Sequence, residues 1–145
     1  MIRAVPDVNV FVSLAIKKGG HPAQIFARIG EYISFTSEKI LADVLRVMHY
    51  DRVMKMHKLS EDGILEFVQS VRERNAITPG LLEVKIVHED PDDDIIVACA
   101  IEAGADCIIS GDHHLLDIKH YREIHIVAPA AFLDILNREK ASRMN

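Results

Sequence analysis

At 145 residues the chain has the length of one domain, enough to bury a real core and too little for two. Hydrophobic residues make up 49% and charged residues 27%, which excludes the charge-rich composition of a disordered chain. A formal net charge of -5 excludes a protein that coats nucleic acid through its overall charge, so any contact with phosphate must come from a local basic patch.

Met1 to Ile16 lacks the basic start and unbroken apolar stretch of a signal peptide, and no apolar run approaches the roughly 18 residues that span a bilayer. A cytoplasmic protein without membrane contact is expected. Cys99 and Cys107 both lie in apolar segments and read as buried reduced thiols.

Short β-rich runs recur at Ile2 to Val5, Tyr32 to Thr36, Cys107 to Ser110 and His125 to Val127, separated by stretches of helical periodicity. This alternation predicts a parallel sheet with helices on both faces. After the second run, Ile40, Leu41, Val44, Leu45, Val47 and Met48 fall on one arc of a helix. A further helix is expected to start with Ser60 as its cap, to carry Ile64, Leu65, Phe67, Val68 and Val71, and to end near Thr78-Pro79-Gly80. Asp90-Pro91 opens another, with Ile95 to Ile101 as its apolar side and Gly104 as its stop. Pro129 starts the last, through Phe132, Leu133 and Leu136. The division expected is a domain over 1–136 and a polar tail over 137–145 that frays.

Asp7 directly follows the first strand, and Asp112 follows the Cys107 to Ser110 strand after a glycine. Ligands of open parallel sheets bind beyond the carboxyl ends of the strands, so these two acids are expected at one edge. The helix opening at Asp90-Pro91 starts at that edge if its preceding strand is parallel, which brings Asp92, Asp93 and Asp94 there. Asp43 sits at the border of the apolar arc, about 40° from Val47, where it can face inward without entering the core. Singly, these acids have plainer readings: Asp90 and Asp92 as helix cap and dipole partner, Asp7 and Asp112 as turn residues, Asp43 as a solvated helix residue. Together, carboxylates that converge repel one another unless a cation balances them. Mg²⁺ or Mn²⁺ suits such oxygen ligands, and the chemistry that follows is metal-assisted phosphodiester hydrolysis.

Five segments in order resemble the PIN domains, specifically the small prokaryotic ones that act as toxins of toxin–antitoxin pairs. They are VPDVNVFVS from Val5, SEKILADVLRV from Ser37, DPDDDIIVACA from Asp90, ISGD from Ile109 with Leu115-Leu116, and IVAPAAFL from Ile126. The resemblance implies a three-layer α/β/α sandwich around a central parallel sheet, Rossmann-like in arrangement, and a metal-dependent ribonuclease with RNA as substrate. It implies metal-site and catalytic acids at Asp7, Asp43, Asp93 and Asp112, with Asn9 and Ser110 as supporting polar groups. Among the clustered acids it favours Asp93, which keeps the family's spacing to Cys99-Ala100, and leaves Asp94 as an outer partner. An antitoxin protein and a homodimer are the partners it implies. Two departures stand out: Asp43 replaces the family's usual Glu with a side chain one methylene shorter, and Pro6 precedes the first acid and removes a backbone donor.

Phosphate contacts are expected from Arg46 to Lys58, above all Arg46 and Arg52, with His49, Lys55, His57 and Lys58 beside them. Tyr50 is read as packing rather than base-stacking, His113 and His114 as exposed loop residues, and Met48, Met54 and Met56 as core or interface filling. Two other functions compete. A phospho-acceptor receiver domain needs a Lys after a late strand, where this chain reads Ile126-Val127-Ala128-Pro129. A PIN-like module that binds RNA or a partner without cutting is suggested by the shortened Asp43.

Overall fold

The first strand, β1 (Arg3–Pro6), and β4 (Cys107–Ile109) lie side by side at the centre of a six-stranded sheet, although about a hundred residues separate them. The computed structural model describes residues 1–85 and 91–144, with the backbone alone at Pro91 and Asp92. The strand order is β3-β2-β1-β4-β6-β5, with β2 at Ile33–Thr36, β3 at Ala76–Ile77, β5 at His120–Tyr121 and β6 at Ile124–Val127. The first five in that order pair in parallel, and β5 alone runs antiparallel, against β6. The sheet is therefore mostly rather than wholly parallel, because the short turn after β5 sends the chain straight back.

Alternation along the strands assigns each face its core. Val5, Phe35, Ile108 and Ile126 belong to one apolar cluster, whereas Ala4, Cys107 and Ile109 belong to the other. Successive side chains of a strand point to opposite faces, so a sheet buried on both sides needs apolar residues at every position. The helix α6 (Pro91–Ala103) packs against β1, β2 and β4 and fills the first cluster. On the other face α2 (His21–Ala27) packs against α8 (Pro129–Met144), where Tyr32 and Phe132 meet edge to face at 5.1 Å. The result is a three-layer α/β/α sandwich. Among the described residues no helix is long and apolar enough to cross a membrane.

The helix α1 (Val8–Ile16) follows β1, and α3 (Glu38–Met48) follows β2 with Ser37 as its cap, whose hydroxyl accepts from Ile40 N–H. Two short-range features escaped the sequence pattern. The helix α4 (Asp51–His57) fits between α3 and α5 (Glu61–Arg74), and α5 ends at Arg74 rather than near Thr78, since Ala76 and Ile77 leave it to pair with β2 as β3. Ser60 caps α5 as expected, accepting from Gly63 N–H, but Leu65 is exposed because the buried stripe runs Ile64, Val68 and Val71. Gly104, at φ +60°, terminates α6 in the left-handed region that glycine enters without strain. The polar segment 137–144 is helical and continues α8 to Met144, with strong helix formers and an ion pair from Glu139 to Arg143 one turn apart. The reading of Asp90 as a helix cap lies outside the described residues, as does the side chain of Asp92.

Both cysteines are buried free thiols, each raised to about 11 chiefly by desolvation. Two histidines lock the α3–α4–α5 corner in different charge states. His57 is buried, with Nε2 facing Met48 O and Nδ1 accepting from Leu59 N–H, a pattern that fixes a neutral ring. His49 Nδ1 faces Leu45 O at 2.8 Å while Nε2 faces Glu61 at 2.7 Å, two acceptors that favour the protonated ring, in which both nitrogens donate. Its pKa is raised above 6.5, first by the Glu61 hydrogen bond and then by the Leu45 carbonyl. A raised folded-state pKa contributes stability that is complete below the unfolded value and is lost as pH rises through the folded one. Urea midpoints are thus expected to fall between pH 6 and pH 8 more in the wild type than in Glu61→Gln; equal pH profiles would show that the pair does not tie α3 to α5.

Candidate metal centre

The carboxyl ends of β1, β2, β3, β4 and β6 share one edge, because the strands are parallel. The chain leaves β1 toward β2 on one side and later enters β4 on the other, so the order reverses between β1 and β4. Such reversals leave a crevice beyond the strand ends. Asp7 stands at that point as the cap of α1, with Oδ1 accepting from Val8 N–H at 2.7 Å. Its backbone N–H continues the ladder to Ile109 O at 2.8 Å.

Beside it, Ser110 follows β4 and is fully buried. Its hydroxyl donates to Asp7 Oδ2 at 2.8 Å and accepts from Asp112 N–H at 3.0 Å. One hydroxyl thereby connects the two acids that follow the two central strands. Asp112 caps α7 (His113–Ile118), accepting from His114 N–H at 2.9 Å, and is half-buried. Both acids are thus turn and cap residues, the plainer reading of each, and neighbours in one crevice as well.

Asp93 lies in the first turn of α6 and is 3% exposed. It shares a helical stripe with Ile96, Val97 and Ala100, all buried, so it faces the sheet at the end where β1 and β4 finish. Asp94, about 100° further round, lines a cavity with Ala98 and Glu102. The two acids thus occupy different faces of α6.

Asp43 lies six residues beyond Ser37, so its backbone stands about 9 Å along the axis from the start of α3. That helix packs on α1 and α6, the elements that carry Asp7 and Asp93. The Asp43 side chain is 15% exposed, and Oδ1 accepts from Arg46 at 3.2 Å. Arg46 also donates to the Tyr50 hydroxyl, so Tyr50 is tied to this pair rather than stacked in the core. Thr36, the last residue of β2, has a fully buried hydroxyl with no hydrogen-bond partner among the described residues.

The expected basic patch shrinks in the folded chain. His57 is buried and neutral, His49 is paired with Glu61 and Arg46 with Asp43, while Arg52, Lys55 and Lys58 are exposed. Asn9 is exposed near the start of α1, and His113 and His114 are exposed at the start of α7 rather than in a loop. Among the described residues no three His, Cys, Asp or Glu side chains stand close enough to enclose a metal ion by themselves. The donor set still suits Mg²⁺ or Mn²⁺. It consists of hard carboxylate oxygens, Mg²⁺ often takes only one or two of these, and a carboxylate that accepts one hydrogen bond at each oxygen keeps lone pairs for a cation.

The sequence marked Ser110 as a supporting group but not its bond to Asp7 or to the Asp112 amide, nor the Arg46–Asp43 pair. The bond to Asp7 spans about a hundred residues, and the Arg46–Asp43 pair hides in an ordinary i, i+3 spacing. In comparisons with known proteins, a family model described as PIN domain matches residues 3–114. No curated protein matches the chain.

Removing the Ser110 hydroxyl orphans the Asp112 N–H and one acceptor site on Asp7. Ser110→Ala is expected to cost about 1–3 kcal/mol by urea denaturation. An unchanged midpoint would mean that water replaces the bridge.

Proposed function

The chain belongs to the PIN domain family, whose members are generally nucleases, and on that premise we propose that it hydrolyses RNA phosphodiester bonds with Mg²⁺ or Mn²⁺. The observation that carries this reading is the hydrogen-bonded run from Asp7 through Ser110 to Asp112, at the strand reversal toward which the buried Asp93 faces. A bound divalent ion supplies Lewis acidity, which promotes ionisation of water and offsets charge on the leaving oxygen.

The chain's own residues supply the rest. Asp7, Asp93 and Asp112 are the acids that would hold the ion, a hard cation that often takes only one or two carboxylates. Ser110 fixes the rotamer of Asp7 by donating to one oxygen, as groups behind a ligand commonly do. Asp43, its short side chain held by Arg46, would support the ion from further back. Exposed Arg52 would meet the phosphate backbone with Arg46, and Asn9 would support the acids from the start of α1. From the resemblance to the small prokaryotic members of the family we further propose a cytoplasmic toxin, with an antitoxin protein and a second copy of the chain as its partners.

The shortened Asp43 and the want of a three-carboxylate cluster among the described residues favour a second reading, a PIN module that binds RNA or a partner without cutting it. Cleavage of single-stranded RNA with Mg²⁺ or Mn²⁺, against a chelator control, separates the two. Asp7→Asn and Asp93→Asn are each expected to lower the rate by on the order of 100-fold or more, the upper range seen when residues that merely support a metal ligand are lost. Asp43→Glu is expected to keep or raise activity and Asp43→Asn to lower it. Equal cutting by the Asp7 and Asp93 variants would sink the site, and metal binding without cleavage of varied RNAs would establish the binding module.

A further inference from the structure

The hairpin of β5 and β6 sets two histidines directly across from each other at the edge of the sheet. We propose that His120 and His125 are the protein ligands of a further metal site, one that takes a borderline divalent ion such as Zn²⁺ through imidazole nitrogen. The inference does not rest on the nuclease reading.

The geometry follows from the turn. Only Arg122 and Glu123 join the two strands, and Arg122 takes φ +55° at the first central position, where short hairpin turns call for a positive φ. A turn of fixed length fixes the register, which places His120 opposite His125 and Tyr121 opposite Ile124. Ile126 N–H donates to Lys119 O at 2.9 Å, whereas His125 N–H turns away to Asp106 O at 2.9 Å. The two histidines therefore occupy the unbonded position of the antiparallel ladder, where opposing strands come closest. Cβ atoms of such a pair lie about 4.5–5.5 Å apart, with both side chains on one face. Two imidazole nitrogens that each bind at about 2.0–2.1 Å must come within about 3 Å of each other, which rotation about χ1 and χ2 allows at this spacing.

Alternation along the hairpin leaves the pair in solvent. Tyr121, Ile124 and Ile126 pack into the apolar cluster that holds Ile108, while His120 and His125 take the opposite face and are both exposed. Neither ring has a hydrogen-bond or ion-pair partner among the described residues. The other histidines are placed differently. His57 has both nitrogens bonded and His49 is paired with Glu61. His113 and His114 are consecutive on α7, so their side chains diverge by about 100° and cannot converge on one ion.

The ligand type selects the ion. Imidazole suits Zn²⁺, Cu²⁺ and Ni²⁺, whereas carboxylate oxygens suit Mg²⁺ and Mn²⁺. Among the described residues no third His, Cys, Asp or Glu joins the pair, so the remaining positions of the ion are left to water or to a donor from outside the chain. An ion held there ties the short edge strand β5 to β6 from the solvent side.

The test uses the full, tag-free chain at about pH 8, above the range in which an ordinary imidazole titrates, with excess Mg²⁺ to occupy the carboxylates. Zn²⁺ is added while amide and imidazole NMR signals are followed, and the ring signals of His120 and His125 are expected to move together. His120→Gln and His125→Gln, both at exposed positions, are each expected to weaken binding by at least about tenfold, because even residues behind a metal ligand contribute roughly 10–100-fold. The double variant His113→Gln, His114→Gln is expected to bind as the wild type does. Exchange of the Ile126 amide, whose bond to Lys119 lies beside the pair, is expected to slow with Zn²⁺ in the wild type and not in His120→Gln. With Cu²⁺ as the probe, electron paramagnetic resonance is expected to count two nitrogen ligands in the wild type and one in either hairpin variant. Zn²⁺ binding that neither hairpin variant weakens would overturn the site. A single nitrogen in the wild-type Cu²⁺ spectrum would do the same, since it reports an adventitious ion only, on a lone histidine.

Discussion

The pairing of β1 with β4 is the constraint on which the rest depends. Pro6 lies opposite Ile109, so the next residues along, Asp7 and Ser110, emerge side by side and can bond. A shift of one residue in that register would turn each side chain to the opposite face. Val5, Ile108 and Ile109, all fully buried, oppose such a slip, because it would exchange the apolar sets of two different cores. The stability of the sandwich and the geometry of the acids are thus set by the same strand contacts.

Pro6 contributes to that geometry by what it lacks. Asp7 N–H points to β4, and alternation along the strand turns position 6 toward β2, where proline has no proton to donate. The registered pairs of β1 with β2 end at Ala4 and Ser34, while those with β4 run on to Pro6 and Ile109. Proline in a central strand is ordinarily disfavoured, and here it costs little because it falls at the strand end where the β2 ladder has already stopped. The two strands part at the edge where the acids collect, and Asp7 stays anchored on the β4 side.

Much of this arrangement was legible in the sequence, and the residues show why. Ile108 and Ile109 read as a strand because a sheet covered on both faces tolerates apolar residues in succession, and Asp7 and Asp112 stood out as acids just past strand ends. The arc from Ile40 to Met48 fixed α3 because burial selects one helical face. The edge was less legible: β3 has only Ala76 and Ile77, both exposed, and exists because β2 offers it unpaired backbone groups. Leu65 misled by being apolar on the wrong face. His57 looked like part of a basic patch, and only folding revealed the Met48 carbonyl and Leu59 amide that hold it neutral. Charge counted along a chain overstates the charge a surface presents, since pairing and burial are decided by residues far from the count.

The same distinction governs the acids of DPDDD. In sequence Asp93 and Asp94 are equivalent, but a helix separates neighbours by about 100°, and α6 has a different surrounding on each side. Asp93 turns toward the strands and is buried at the crevice, where a carboxylate needs a counter-charge or a donor to remain ionised. Asp94 turns to a cavity lined by apolar side chains with lysines at its rim. On α3, Arg46 is bonded to Asp43 and Tyr50, and its side chain remains half exposed. Neighbours in the sequence thus meet different chemistry because the helix turns them toward different surroundings.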